Sequence, residues 1–238
     1  MTKYWSISDS VARLSAPVAT GEVALLFPWR GFSPALSKQD SVALLKVFTR
    51  AGEHDAPETL VEGYERGVDL IATYAQTPQR TVRQQLYWRY VNAGEASGVE
   101  LILSAQTSLL DSQPLTLVES TLPVGDVRTI AMGGDWASPV WDDAWQKGAS
   151  APVGVLFRPR DWQVSYLELI HPTDLAAVQL TQHNGLPTVR WQLFPERLEK
   201  GVVRRGRLRG LFLPRAQDEF LAKGLLASFV DSPLVLST

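Results

Sequence analysis

The stretch from Gly134 to Trp145 holds the side chains best suited to binding a sugar, with three Trp and three Asp within the eleven positions 135–145. A Trp ring can stack on the C–H face of a pyranose, and carboxylates accept hydrogen bonds from its hydroxyls. The nearby Gly and Pro residues predict a loop, where binding residues concentrate. The pattern predicts a ligand site formed by Trp136, Trp141, Trp145, Asp135, Asp142 and Asp143. The alternative is that the Trp rings close one end of the fold while the Asp residues cap turns.

Few residues of this chain could act as a catalytic histidine, because it contains three histidines, His54, His171 and His183. An aldose epimerase needs a carboxylate base and an imidazole acid on opposite sides of a sugar ring. Glu168 lies three positions before His171, and an odd separation along one strand puts the two side chains on opposite faces. A strand that ends before His171 would weaken this objection. The sequence therefore predicts no catalytic residue.

A basic strand runs through Arg204, Arg205, Arg207 and Arg209. Such a strand could contact phosphate or nucleic acid, but the net charge of the chain is −2. Strand arginines also pair with carboxylates on neighbouring strands, for which Glu100, Glu119 and Glu168 are candidates. The sequence therefore predicts a polar sheet face and no nucleic-acid partner.

Common cofactor and catalytic motifs are absent from the sequence. It contains no Gly-x-Gly-x-x-Gly, no phosphate-binding Gly-Lys-Thr/Ser loop, no His-Glu-x-x-His and no Gly-x-Ser-x-Gly. The chain has no Cys, which excludes disulfides, thiolate ligands and a cysteine nucleophile. With three scattered histidines, we expect neither a cofactor nor a metal site.

The composition is that of a globular protein, with 45% hydrophobic and 20% charged residues in 238 positions. The N-terminus lacks the pattern of a signal peptide, and no run of about 18 apolar residues is present. We therefore expect a soluble, cytoplasmic protein without a membrane partner. The sequence leaves the oligomeric state open.

Period-two alternation of apolar residues predicts most of the chain to be β-strand. From Gly67 to Thr121, four strands joined by short polar turns indicate an antiparallel meander. Strands are predicted again from Val153 onward, with a hairpin at Asn184-Gly185. Between Gly125 and Pro152 the alternation disappears, which we interpret as an irregular junction.

A seven-residue phrase occurs twice, as Thr81-Val82-Arg83-Gln84-Gln85-Leu86-Tyr87 and as Thr188-Val189-Arg190-Trp191-Gln192-Leu193-Phe194. Five positions are identical, and the copies are 107 residues apart (188 − 81 = 107). This predicts an internal duplication within a single domain, with halves of about 1–124 and 125–238. In each copy Val and Leu should point into the core, while Arg and Gln point away from it.

One helix is predicted near the C-terminus. Asp218 and Glu219 suit a helix N-terminus, and the apolar residues that follow, from Phe220 to Val230, have mostly helical spacing. The predicted fold class is therefore mainly all-β: a large antiparallel two-sheet sandwich with one C-terminal helix. Leu234 to Leu236 could form a last strand.

Three segments carry a resemblance to an uncharacterised bacterial family: Leu198 to Arg205, Arg207 to Arg215, and Tyr166 to Pro172. The fold of that family is similar to the galactose-mutarotase-like supersandwich. The resemblance implies a supersandwich fold and no particular activity, although such domains often occur in carbohydrate-active proteins.

The favoured interpretation is a non-catalytic binding or structural domain whose ligand, if it has one, is a carbohydrate. The first alternative is a sugar-modifying enzyme of the aldose epimerase type, which requires one His and one Glu to converge in a pocket. The second is a protein-interaction module that uses an exposed, aromatic sheet face.

Overall fold

The computed structural model describes residues 3–36, 42–48 and 56–233. In chain order, the strands and helix of this part are β1 (Trp5–Ser8), β2 (Val11–Leu14), β3 (Gly21–Ala24), β4 (Phe32–Pro34), β5 (Ala43–Phe48), β6 (Leu60–Arg66), β7 (Asp69–Tyr74), β8 (Arg83–Ala93), β9 (Ala96–Gln106), β10 (Asp111–Ser112), β11 (Thr116–Thr121), β12 (Gly125–Ile130), β13 (Asp142–Gln146), β14 (Gly154–Pro159), β15 (Val164–Ile170), β16 (Ala177–His183), β17 (Leu186–Leu193), β18 (Leu198–Glu199), β19 (Val203–Pro214) and α1 (Asp218–Val230). A 3-10 turn, Pro28–Arg30, precedes β4.

Two large antiparallel sheets form a sandwich, as the sequence predicted. Among the described residues, one sheet has nine strands in the order β1-β2-β3-β4-β5-β11-β17-β16-β13, and the other has eight in the order β12-β14-β15-β19-β9-β8-β7-β6. β10 and β18 pair separately as a short ribbon. The predicted C-terminal helix is confirmed as α1.

The core lies between the sheets because alternate side chains of each long strand point inward. Trp88 on β8 and Trp191 on β17 are fully buried there, and burial of an apolar side chain stabilises the fold by about 1.5–3 kcal/mol. Since these rings face the core, they are not available to a protein partner.

Both copies of the repeated phrase orient their side chains as expected. The Val and Leu of each copy are buried, whereas Arg83 is exposed and Arg190, Gln85 and Gln192 are half-buried. The strand periodicity alone was sufficient for this prediction, since it assigns alternate residues to opposite faces.

The duplication itself is not confirmed and stays a prediction. β8 carries the first copy in the eight-stranded sheet, and β17 carries the second in the nine-stranded sheet. After β8 the chain returns as its neighbour β9, whereas after β17 it crosses to β19 in the opposite sheet. β9 pairs with β19 and β11 with β17, so both sheets combine strands from both predicted halves.

Two predictions on connectivity need correction. β7, β8 and β9 form a meander, but β11, the expected fourth strand, lies in the nine-stranded sheet between β5 and β17. Alternation identifies a strand but does not identify its partner. The segment expected to be irregular contains β12 and β13. The Asn184-Gly185 hairpin is confirmed, since both residues have positive φ, 52° and 77°.

Glycines in β19 allow close packing between elements. A Cβ on Gly210 would lie 2.2 Å from the Tyr166 hydroxyl, and one on Gly206 would lie 2.8 Å from Leu193. The bulky neighbours at these two positions are therefore a Tyr and a Leu. At Gly210 the missing side chain leaves room for the Tyr166 hydroxyl inside the sandwich.

Helix α1 packs on the outer face of the eight-stranded sheet. Arg158 of β14 donates to both carboxylate oxygens of Asp218, at 2.8 and 2.6 Å, and Ser165 of β15 donates at 2.6 Å. At the other end of the helix, Phe229 is buried beneath the guanidinium of Arg209, at 4.5 Å. The last predicted strand, Leu234 to Leu236, lies outside the described residues.

Candidate functional site

The outer face of β7, β8, β9 and β19, beside α1, carries polar side chains. Cross-strand register pairs Arg83 with Gln106, Gln85 with Ser104, and Ser104 with Arg205. Directly paired residues project to the same side of a sheet, so these side chains share one surface. We define the polar sheet face as Thr73, Arg83, Gln85, Ser104, Gln106 and Arg205.

A cleft of about 150 Å³ opens on the polar sheet face, lined by its six residues and Val203. A water molecule needs ~10–15 Å³ of such space, so the cleft is large enough for a small polar ligand. The lining offers hydroxyl, amide and guanidinium groups, the groups that hydrogen-bond sugar hydroxyls.

A chain of hydrogen bonds fixes the orientation of the central side chains of the cleft. The Tyr87 hydroxyl donates to Gln85 Oε1 at 2.6 Å, Gln85 Nε2 donates to Thr73 Oγ1 at 2.9 Å, and Thr73 Oγ1 donates to Glu62 Oε1 at 3.2 Å. Each hydrogen bond in the series determines which group donates in the next one. The side-chain amide of Gln85 therefore has a single orientation. Groups oriented before a ligand arrives reduce the entropy cost of binding.

Two rows of side chains further along the same face, the carboxylates are held in ion pairs. Arg89 binds Asp69 at 2.8 Å and Arg209 binds Glu100 at 2.7 Å. The hydrogen bond with Asp69 raises the pKa of Arg89, although partial burial opposes the shift. The predicted pairing of the arginine strand with Glu100 is confirmed. Glu119 instead pairs with Lys46 and Arg190.

Arg207 has contacts typical of a structural residue. It is buried, donates from Nη2 to Ser232 O at 3.0 Å and lies over the Phe229 ring at 4.9 Å. Burial lowers its pKa. We expect Arg207→Ala to lower the free energy of unfolding in urea by about 1.5–3 kcal/mol without weakening ligand binding. Arg204→Ala, an exposed position on the same strand, is the control and should change stability by less than about 0.5 kcal/mol.

His171 does not face the cleft. It is buried, its Nδ1 bonds the Thr173 hydroxyl at 2.7 Å, and its Nε2 bonds the Val230 carbonyl at 3.2 Å. It lies beneath α1 on the outer side of β15, whereas Glu168 points between the sheets, so the two do not converge. β15 ends at Ile170, yet the opposite orientation persists. His54 lies outside the described residues, and His183 is the last residue of β16.

The sequence did not predict a buried polar cluster that joins the two sheets. Glu168 is completely buried and accepts hydrogen bonds from Ser120 at 2.5 Å, Tyr166 at 2.8 Å and Trp191 at 2.6 Å. Burial raises the pKa of Glu168, although these bonds oppose the rise. We call these four residues the inter-sheet cluster. Because it is sealed from solvent, it does not offer a ligand site, and its hydrogen bonds join the two sheets. The sequence feature that could have revealed this cluster is the acidic residue Glu168 within the apolar run Tyr166 to Ile170.

Two of the six predicted ligand-binding residues contact α1. The exposed carboxylate of Asp135 pairs with Lys223 at 2.6 Å, which lowers the pKa of Asp135. Trp136 is half-buried and donates from Nε1 to the Glu219 carbonyl at 3.1 Å. Both contacts help to hold the loop after β12 against the helix.

The other four lie in or beside β13, the edge strand next to β16. The predicted loop is therefore wrong for Asp142 to Gln146, which form this strand. Asp142 accepts a hydrogen bond from the Ala144 N–H at 3.1 Å. This contact is of the kind expected if the Asp residues cap turns. The rings of Trp141 and Trp145 are exposed and half-buried, respectively, and Asp143 is exposed. The structure thus divides the six residues between two regions, and their ligand-binding role stays a prediction.

Metal ligands and membrane spans are not found in the part of the chain that the structure describes. In residues 3–36, 42–48 and 56–233, no three His, Asp or Glu side chains are grouped to hold a metal ion. Across the same ranges, α1 included, no helix is long and apolar enough to cross a membrane.

Neither a protein-family model nor a curated protein matches the sequence. Solved structures are similar in fold. A putative aldose 1-epimerase from Escherichia coli K12 has a TM-score of 0.53 at 9% identity, covering 85% of this chain and 98% of that one. A putative aldose 1-epimerase from Klebsiella pneumoniae has a TM-score of 0.51 at 8% identity, covering 94% and 82%. The chain has the galactose-mutarotase-like supersandwich fold.

The Slr1438 protein of Synechocystis sp. PCC 6803 shares this supersandwich fold, with a TM-score of 0.55 at 10% identity, covering 88% of this chain and 99% of that one. The resemblance seen in the sequence is therefore confirmed at the level of the fold. Identities of this size do not transfer an activity, because one fold supports many functions.

Proposed function

We propose that the chain binds a carbohydrate in the cleft of the polar sheet face. The observation that carries the proposal is the hydrogen-bond chain from Tyr87 through Gln85 and Thr73 to Glu62, which orients donors and acceptors along an open cleft. A sugar hydroxyl both donates and accepts, so it requires both kinds of group at fixed positions. The mutarotase-like fold supports the same ligand class.

Aldose epimerisation is the second candidate function. It is favoured by the two structures described as putative aldose 1-epimerases, and by a carboxylate, Glu62, at one end of the hydrogen-bond chain with a phenol, Tyr87, at the other. In this arrangement Glu62 would accept the proton of the anomeric hydroxyl, and Tyr87 would donate to the ring oxygen in place of an imidazole.

Calorimetric titration with a panel of neutral and charged monosaccharides tests the binding proposal. We expect Gln85→Ala to weaken binding at least tenfold, since a lost hydrogen bond of about 1.4 kcal/mol changes Kd tenfold. Gln182→Ala, at an exposed position on β16, is the matched control and should bind normally. If no sugar of the panel binds the native chain, the proposal is wrong.

The same titration distinguishes the two candidate locations. Trp141→Ala and Trp145→Ala should leave binding unchanged if the ligand occupies the polar sheet face. Loss of binding in these variants, with normal binding in Gln85→Ala, would instead place the sugar on the edge strand β13. For the enzymatic candidate, polarimetry should show accelerated mutarotation of a free aldose that is lost in Glu62→Gln.

A further inference from the structure

We propose that the ligand of this cleft is an oligosaccharide, and that the ring of Tyr64 on the edge strand β6 carries a second sugar residue beside the one in the cleft. This inference rests on the proposed function and specifies its ligand class. A tyrosine ring presents a flat apolar face with a polar hydroxyl at one end. Such a surface suits a sugar residue, which exposes a C–H face as well as hydroxyls.

A row of hydrogen-bonding side chains crosses the outer face of β6, β7, β8 and β9 and extends beyond the cleft. Strand register pairs Glu62 on β6 with Thr73, Thr73 with Gln85, and Gln85 with Ser104 on β9. The row spans about 15 Å, three strand spacings of ~4.8 Å each. Thr73, Gln85 and Ser104 line the cleft, whereas Glu62 lies beyond its lining. The row is therefore longer than a single sugar residue requires.

The next row on the same face carries two tyrosines. Register pairs Tyr64 on β6 with Ile71 on β7, and Ile71 with Tyr87 on β8. Each of these residues lies two positions along its strand from the hydrogen-bonding row, a distance of about 7 Å. Aromatic and β-branched side chains that are paired across strands pack against each other, and Ile71 between the two tyrosines is buried. An apolar surface thus runs alongside the hydrogen-bonding groups, which is the combination that a sugar chain requires.

Tyr87 connects the two rows at the cleft. Its hydroxyl donates to Gln85 Oε1 at 2.6 Å, so its side chain leans towards the hydrogen-bonding row. The backbone of Tyr64 lies about 10 Å from that of Tyr87, two strand spacings of ~4.8 Å, because β7 separates their strands. A sugar residue over Tyr64 is therefore the neighbour of the residue held by Gln85 and not the same one.

Tyr64 and Glu62 are both accessible to a ligand on β6, the edge strand of the eight-stranded sheet. Tyr64 is 39% exposed, and Glu62 is exposed as well. Glu62 Oε1 accepts from Thr73 at 3.2 Å, and within residues 3–36, 42–48 and 56–233 no donor contacts its Oε2. This second oxygen can accept a hydrogen bond from a sugar hydroxyl. A stacking surface and a carboxylate oxygen thus occur side by side where the second sugar residue would lie.

Calorimetry with sugars of increasing chain length tests the inference. Glucose, cellobiose and cellotriose are titrated with the native chain, followed by the maltose series and by the β-1,4-linked oligomers of mannose and of galactose. In at least one series we expect the disaccharide or trisaccharide to bind about ten times more tightly than the monosaccharide, since the second residue adds a stacking contact and a hydrogen bond.

Variants then locate the second sugar residue. Tyr64→Ala should weaken binding of the preferred oligosaccharide about tenfold and change binding of the monosaccharide by less than about twofold. Tyr64→Phe keeps the ring and should retain the preference for the longer sugar. Phe220→Ala, which removes an exposed ring from α1, is the matched control and should bind normally. Thermal unfolding of each variant verifies that it is folded.

Two results would overturn the inference, and they differ from the result that removes the proposed function. Equal affinity for the monosaccharide and its oligomers in every series contradicts a second sugar position and leaves carbohydrate binding in the cleft intact. A preference for the longer sugar that persists in Tyr64→Ala contradicts the role given to Tyr64. Absence of binding at every chain length removes the proposed function itself.

Discussion

Glu168→Ala should lower the free energy of unfolding by about 3–5 kcal/mol, because each buried donor left without an acceptor costs about 1–3 kcal/mol and the variant relaxes in part. The three donors, from Ser120, Tyr166 and Trp191, come from both sheets. The loss should therefore appear in one cooperative urea transition, with a reduced midpoint and an unchanged slope. Glu22→Ala, which removes an exposed carboxylate paired with Arg13, is the control and should cost less than about 1 kcal/mol.

Glu168→Gln separates the effect of charge from that of the hydrogen bonds. Burial raises the pKa of Glu168 in the folded state, so with rising pH the unfolded chain loses this proton first. The stability contributed by Glu168 is present below the ordinary glutamate pKa and is lost as pH rises through the raised pKa. We expect the stability advantage of the native chain over Glu168→Gln to shrink as pH rises. An advantage that grows with pH would contradict this assignment.

Asp218→Asn should lower the free energy of unfolding by about 2–3 kcal/mol, since charge-assisted bonds to buried groups contribute more than neutral ones. Asp218 is buried and accepts two bonds from Arg158 and one from Ser165, which anchor the first turn of α1 to β14 and β15. Urea unfolding measures the loss. Hydrogen exchange should in addition show α1 opening more often than the sheets.

The pH dependence of Asp218 has the opposite sign from that of Glu168. Burial alone would raise the pKa of Asp218, but the bonds from Arg158 and Ser165 outweigh it and lower the pKa. The stability that Asp218 contributes is present above the ordinary aspartate pKa and is lost as pH falls through the lowered pKa. The difference between the native chain and Asp218→Asn should therefore diminish in acid. Glu219→Gln, which removes a partner of Arg158 that is more exposed than Asp218, should cost less than about 1 kcal/mol. A loss as large as that of Asp218→Asn would contradict the role given to Asp218.

The side chains that line the candidate cleft were predicted only in part from the sequence. The sequence placed Arg83 and Gln85 on the face turned away from the core, and it predicted a polar face along the arginine strand. It did not connect the two, because β8 and β19 are more than a hundred residues apart in the chain and come together only through β9. Their meeting depends on long-range pairing, which local periodicity does not contain.

The predicted Trp and Asp site shows what sequence proximity leaves open. Six residues close in sequence suggested one binding surface. In the structure Asp135 and Trp136 contact α1, whereas Asp142 to Gln146 pair with β16. The contacts of each residue depend on long-range packing, and the ligand-binding role of the six stays a prediction.

The sequence by itself determined the features that depend on a few neighbouring residues: the long strands β8, β9, β17 and β19, the core-facing sides of both repeated phrases, the Asn184-Gly185 hairpin and the start of α1 at Asp218. The tertiary structure alone decided which sheet each strand joins, which side chains line the cleft, and that the carboxylate of Glu168 finds three donors inside the sandwich. The physical reason is that backbone conformation and side-chain direction follow from local sterics, whereas strand partners are selected by packing of the whole chain.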